Sequence, residues 1–171
     1  MKIIFVDGYN VINSWPNLKE EKDASFDGAR KKLIDTMHNY GTYEHCKIKI
    51  VFDAYLVKGN LQKVEDVNEN VSVIFTKDGE TADAYIEREI HNLGRRVEIY
   101  IVTSDMLEQQ TAFQRGAVRM SSLEFYNEIQ KVERKISKNT KLNLTVNRNN
   151  LSDNIDSDVL KKLEEIRRSD K

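Results

Sequence analysis

Along the chain, short unbroken apolar runs alternate with stretches in which apolar residues recur every three or four positions. The runs are KIIFV (Lys2–Val6), IKIVF (Ile48–Phe52), VSVIF (Val71–Phe75), VEIYIV (Val97–Val102) and a shorter GAVRM ending at Met120. Such runs fit strands covered on both faces. Between them, Ser25–Asn39 carries Ala29, Leu33 and Met37 on one helical face, ahead of a turn expected at Gly41. Thr81–Leu93 has a capping threonine before it and Gly94 after it. Ser121-Ser122-Leu123-Glu124 is a capping box that opens a further helix, expected to run to about Ile136. Strands alternating with helices predict an α/β fold with a mostly parallel sheet and helices on both faces.

From Lys138 to Asn154 the chain is rich in Asn, Lys and Ser, and its one alternating stretch, LNLTV (Leu142–Val146), reads as an edge strand or as no regular element. Asp156 or Ser157 then caps a last helix with Val159, Leu160, Leu163 and Ile166 as its docking face. The expected division is one domain over residues 1–137 and a basic C-terminal extension over 138–171.

Composition narrows the class. At 171 residues the chain can bury a sizeable core. No apolar stretch reaches membrane-spanning length and the start lacks the parts of a signal peptide, so a cytoplasmic protein with no membrane partner is expected. Cys46 is the single cysteine, which excludes a disulfide framework and a cysteine zinc site. The formal net charge is −1. It is unevenly spread: Lys131–Lys171 holds eleven basic and seven acidic residues, net +4, which leaves −5 for the rest. A near-neutral whole argues against unaided electrostatic capture of nucleic acid.

The position of the acids carries the chemistry. Asp7 ends KIIFV, Asp53 ends IKIVF and Asp105 closes VEIYIVTS, so three strands finish in aspartate at the carboxyl edge, where open α/β sheets bind ligands. Asp83, in the first turn of the helix opened by ETAD, can reach that edge, and Glu87 lies one turn further on. Each acid alone has an ordinary explanation: a turn or helix cap for the strand-end aspartates, the helix dipole for Asp83, a solvated or salt-bridged face for Glu87. Together they would repel one another unless a cation sat between them. An all-oxygen set without His or Cys suits Mg²⁺ or Mn²⁺ and can position attack of water on a phosphodiester. Asn10 is a supporting donor or a cap; Thr103 and Ser104 orient Asp105, touch phosphate or satisfy loop backbone. Tyr9, Trp15 and Tyr55 are either base-stacking platforms or core residues. The Ala54–Lys63 segment, with Lys58 and Lys63, reads as a mobile basic loop, and His38, His45 and His91 as surface residues.

VDGYNVIN, IVFDA, FTKDGETADAYIE and IVTSD, in this order and with a closing IRR helix, resemble the NYN family of YacP-like type, a branch of the PIN-like nucleases. The resemblance covers nearly the whole chain and implies a three-layer α/β/α fold with a divalent-metal-dependent endoribonuclease activity. It assigns Asp7, Asp83 and Asp105 as catalytic metal ligands, with Asn10 and Asp53 supporting. Its nearest type is the ribosome-associated one that cleaves mRNA in the ribosomal A site in Gram-positive bacteria. That implies RNA and the ribosome as partners, with Tyr55, Lys58 and Lys63 as contacts and no small organic cofactor. Two other classes compete. A phospho-acceptor receiver needs paired acids after its first strand and a lysine after its last, where this chain has Gly8 and Arg119. A non-catalytic ribosome- or RNA-binding module would keep the fold without the chemistry.

Overall fold

The structure, a computed structural model, describes residues 1–53, 62–93, 97–104 and 117–153, with side chains up to 140. In chain order the elements are β1 (Lys2–Asp7), α1 (Gly8–Ser14), α2 (Pro16–Ala24), α3 (Phe26–Glu44), β2 (Lys47–Phe52), β3 (Lys63–Asp66), β4 (Val71–Phe75), α4 (Ala82–Leu93), β5 (Glu98–Val102), β6 (Val118–Met120) and α5 (Ser122–Asp153).

Six strands form one sheet in the order β3-β4-β2-β1-β5-β6, all parallel except the β3–β4 pair. Every apolar run in the sequence became one of the five parallel strands. β1 lies in the middle, with Val6 in register with Ile50 on one side and Val102 on the other. The chain builds outward from β1 to β2 and β4, then returns to β1's other side for β5 and β6. The order therefore reverses between β1 and β5, and that crevice is the switch point of the fold.

Alternate residues of each strand serve opposite faces. Ile3 and Phe5, with Val51, Ile74, Ile99 and Ile101, pack under Ala82, Tyr85, Ile86 and Ile90 of α4. On the other face, Trp15, Tyr40 and Phe125 form a ring cluster, with Phe125 5.3 Å from Tyr40 and 6.1 Å from Trp15 between centroids. The Trp15 indole donates to the Ser122 carbonyl at 2.8 Å, and the Tyr40 hydroxyl donates to Glu128 at 2.6 Å, so both buried rings satisfy their polar ends. Burial, together with the hydrogen bond and charge of Glu128, pushes the Tyr40 pKa well up. Trp15, 1% exposed, is a core residue and not a platform for bases.

Four expectations need correction. The Ser25 side chain caps α3 as its position suggests, accepting from Gly28 N–H, but the helix runs through Gly41 to Glu44. A Cβ at Gly41 would lie 3.3 Å from both the Cys46 carbonyl and Ile48 Cδ1, so glycine there lets the helix end lie close over β2, and His45 makes the turn in the left-handed region at φ 51°. Lys63 does not end a loop: it begins the antiparallel strand β3, exposed and ion-paired with Glu65 at 2.5 Å. The capping box at Ser121 forms in both directions, with Ser121 N–H donating to Glu124 and Glu124 N–H to Ser121 Oγ. The helix it opens continues past Ile136, and LNLTV lies inside it. α1 and α2 occupy a stretch to which the sequence pattern assigns no element. The described residues include no helix long and apolar enough to cross a membrane.

Residues 1–132 form one compact unit, and residues 133–171 a second. The last helix expected over residues 157–168 lies outside the described residues.

Candidate active site

The carboxyl ends of β1 and β2 and the first turns of α1 and α4 bring the acids together. Asp7 is both the last residue of β1 and the N-cap of α1: its Oδ1 accepts from Asn10 N–H at 3.0 Å. Gly8 allows this reversal because a Cβ there would overlap the Phe52 ring. Asp53, just past β2, performs a longer-range version of the same task. Its Oδ1 accepts from Ala82 N–H, at the first residue of α4, across 29 positions of sequence. Thr81 caps the same helix, accepting from Ala84 N–H at 3.2 Å. The approach to α4 is fixed by a turn in which Glu80 N–H donates to Lys77, with Gly79 at φ 79°, and by Thr76 Oγ1 donating to the Glu80 carbonyl at 2.6 Å. This explains the glycine in KDGETAD. Asp83 follows directly, exposed in the first turn, and Glu87 is half-buried one turn further along.

These carboxylates influence one another electrostatically. Burial, then the charges of Asp83 and Asp53, push the Asp7 pKa up to about 6, against the lowering effect of the Asn10 and Tyr9 backbone N–H groups. Asp53 is also raised, by burial and by Asp83, although the Ala82 N–H pulls the other way. Asp7 is thus a carboxyl whose ionisation is made harder by its surroundings while it sits in a helix N-cap, a place that ordinarily favours the charge. A positive charge set among the three carboxylates would reverse that balance.

On the β5 side of the switch point, Thr103 is fully buried with its N–H donating to the Met120 carbonyl at 3.2 Å, and Ser104 is exposed. Asn10 bridges the crevice. Its Oδ1 accepts from Ser104 N–H at 3.0 Å and from the buried Ser122 hydroxyl at 2.9 Å. A backbone N–H can only donate, so the atom facing it is the amide oxygen. With that oxygen engaged twice, Asn10 has its two N–H donors left to offer among the described residues and is suited to an acceptor such as phosphate, not to a cation. Ser122 as a member of this clip was not legible from sequence, since its capping-box neighbour Ser121 supplies a sufficient reason for the Ser-Ser pair.

Beside the acids stands an aromatic wall. Tyr9 packs against Phe26 at 5.4 Å and Phe52 at 5.2 Å between ring centroids, and Phe52 stacks on Phe75 at 5.7 Å. Arg30 lies over Phe26, Phe52 and Phe75. Burial raises the Tyr9 pKa, the Arg30 charge lowers it and the Asp53 charge raises it. Arg30 was missed in the sequence, where it looks like one more basic residue of a charged helix.

The structure thus brings Asp7, Asp53 and Asp83 together and joins Asn10 to Ser104. Lys63 stands on the outermost strand, β3, separated in the sheet from β1 by β4 and β2. Asp105, Tyr55 and Lys58 lie outside the described residues. Among the described residues, no group of three His, Cys, Asp or Glu side chains is arranged to hold a metal ion. The donor set nevertheless fits a hard cation in kind: all the candidate donors are oxygens, and a half-buried carboxyl repelled by two others is what such an ion would relieve. His38, His45 and His91 are exposed, as expected of surface residues.

The fold and sequence have counterparts among known proteins. The family model of the YacP-like NYN domain matches residues 4–168. YacP of Bacillus subtilis (strain 168) is 41% identical over 171 residues, covering 99% of each chain. The crystal structure of Rae1 (YacP) from Bacillus subtilis superposes with a TM-score of 0.72 at 40% identity, over 99% of this chain and 97% of that one. The crystal structure of a point mutant of the same Bacillus subtilis protein gives a TM-score of 0.73 at 38% identity, over 85% of both chains.

Proposed function

The chain belongs to the YacP-like NYN domain family, a nuclease-like family, and from that premise we propose that it is a divalent-metal-dependent endoribonuclease acting on mRNA in association with the translating ribosome, at the A site. The observation that carries the catalytic part is the Asp7 carboxyl, half-buried at the end of the central strand and raised by desolvation and then by two neighbouring carboxylates. A structural cap has no need of such neighbours. A site for a cation and a phosphodiester does.

In this reading Asp7, Asp83 and Asp105 hold Mg²⁺ or Mn²⁺, which when bound supplies charge for the phosphoryl oxygens and acidity for the attacking water. Asp53 keeps α4, and with it Asp83, at the sheet by clamping the Ala82 N–H. Asn10 N–H donors orient a phosphate oxygen on the other side of Asp7, while its oxygen fixes the backbone at Ser104. Thr103 and Ser104 set the chain that leads to Asp105, and Glu87 extends the acidic rim. Inert groups here would leave a binding module with the same fold.

The ribosomal part is supported by charge. A nuclease that captures free RNA offsets phosphate repulsion with a positive surface, and the salt dependence of binding reflects it. This chain has net charge −1 and an acid cluster at its working edge. A ribosome that holds mRNA in place raises the local substrate concentration without any such surface. Tyr55, Lys58 and Lys63 are the proposed contacts, and the cytoplasm the proposed location. The test compares one mRNA, free and under translation, at near-physiological salt. Discrete cuts in the translated mRNA, lost with Asp7→Asn, are expected, with slow scattered cutting of the free RNA. Equal, site-specific cutting of the free RNA overturns the ribosomal part, and undiminished cutting by Asp7→Asn overturns the catalytic part.

A further inference from the structure

The aromatic wall holds a cation that the acid chemistry does not use. Arg30, in the second turn of α3, places its guanidinium carbon 5.6 Å from the Phe26 ring centroid, 5.5 Å from Phe52 and 5.4 Å from Phe75. Phe52 and Phe75 are the last residues of the neighbouring parallel strands β2 and β4 and are paired in register. One guanidinium therefore covers the carboxyl ends of two strands, on the flank where Phe52 leads into Asp53 and Tyr9 follows Asp7 by two residues.

Two features separate Arg30 from an ordinary surface arginine. Its Nε is buried and makes no hydrogen bond among the described residues. Its ion-pair partner among the described residues is Asp27, at 3.5 Å, and the Asp27 side chain is 87% exposed. A pair so open to solvent is screened and weak, so it does little to neutralise the charge. The rings explain why the charge is tolerated: the electron-rich faces of three aromatics attract a cation and fix the plane of its fork. About a quarter of the side chain (28%) remains open. Packing has already restricted the stem, so less rotamer freedom is lost when the fork binds something. A weakly paired planar fork with immobilised stem, next to the proposed phosphodiester site, matches a phosphate oxygen pair in both geometry and sign.

We propose that Arg30 is an RNA-backbone contact: its guanidinium binds a phosphate of the substrate strand adjacent to the one at the acids, seated along the Tyr9–Phe26–Phe52–Phe75 wall. The proposal rests on the nuclease reading and adds the direction of the strand, which leaves the acids on the β2–β4 side of β1. It also supplies a local attraction at an edge where the carboxylates alone would repel RNA.

The test measures equilibrium binding of a short fluorescent single-stranded oligoribonucleotide to the full chain carrying Asp7→Asn, so that binding is read without cleavage, across a KCl series. Loss of one phosphate contact lowers the slope of log K against log salt by about 0.7 for a single strand. Arg30→Gln is expected to show that lower slope, with affinity several-fold weaker at low salt. Arg30→Lys, which keeps the charge, is expected to retain the slope while binding less tightly. Where Arg30→Gln lowers stability, Arg30→Met preserves the apolar packing on the rings and reads the same slope. An unchanged slope in the charge-removing variants overturns the proposal and makes Arg30 a packing residue, as does absence of binding at the lowest salt. The two readings fail separately. An Arg30-dependent slope in a chain whose wild type cleaves nothing sinks the nuclease activity alone, and efficient wild-type cleavage with an unchanged slope sinks the phosphate contact alone.

Discussion

Asp7 and Asp53 stand at equivalent places in the sequence, each closing an apolar strand, yet the fold uses them differently. Asp7 caps the helix that begins at the next residue, so its environment is set by local chain reversal over Gly8. Asp53 caps a helix 29 positions away, so it ties α4 to the sheet. Both are partly buried and both are raised, Asp7 to about 6, where it lies deeper and feels two carboxylates instead of one. A repeated motif marks where an acid will stand; what it can do depends on which elements the topology folds onto it.

The comparison predicts the largest effect at Asp7. Asp7→Asn keeps the N-cap acceptor, since asparagine caps as well as aspartate, but loses the charge. RNA cleavage should fall by about a hundredfold or more, the scale of losing a group that holds transition-state charge. Asp53→Asn should retain measurable cleavage in the same assay. Equal losses at the two positions would erase the distinction.

Next in size is the pH dependence without metal. A carboxyl raised from 3.8 to about 6 binds more protons in the folded than in the unfolded state between those values. The stability due to this group is therefore full below about pH 4 and falls as pH rises toward 6 and beyond, by at most about 3 kcal/mol and less where solvent screens the carboxylate. In chelator, the stability difference between wild type and Asp7→Asn should shift in favour of the variant over that window. A difference independent of pH from about 4 to 8 would mean that the Asp7 environment is not as described.

Gly8→Ala should destabilise by about 1–3 kcal/mol, since the added methyl must displace the Phe52 ring at a packed edge. Urea melts would show it, and a neutral result would indicate a slack edge. Asp53→Ala removes a cap and should cost about 1 kcal/mol, read the same way, with amide exchange accelerated first at the start of α4. Smallest is His45→Gly, which relieves a left-handed residue at the end of α3 and should stabilise by about 0.5–1 kcal/mol.

These sites also show what the sequence could and could not convey. The parallel strands were legible because a strand buried on both faces must be apolar throughout, as in Ile3–Val6 and Ile48–Phe52. The starts of α4 and α5 were legible because caps are local chemistry, written in Thr81 and in Ser121 with Glu124. β3 was not, because KVED is fully exposed and exists by pairing with β4. α1 and α2 were hidden by brevity. One is seven residues nucleated by the Asp7 cap, the other nine begun by Pro16 at its first turn, too short for periodicity to stand out. Gly41 reads as a turn unless one knows that β2 passes beneath it. In the site, the identity of the acids was visible as a pattern. The Asn10–Ser104–Ser122 clip and the Arg30 aromatic seat were not, because their members come from elements that only the fold brings together.

The central claim, that Asp7, Asp83 and their neighbours form a cation site for phosphodiester cleavage, is tested most directly by melting wild type and Asp7→Asn at neutral pH in chelator and in excess Mn²⁺. An ion that binds only the folded state at a hundredfold excess over its Kd adds about 2.7 kcal/mol. The account predicts that the variant melts above wild type in chelator, and that Mn²⁺ raises the wild-type melting temperature by several degrees while leaving the variant unmoved. A wild-type curve that does not respond to Mn²⁺, or a variant that responds as strongly as wild type, would contradict it.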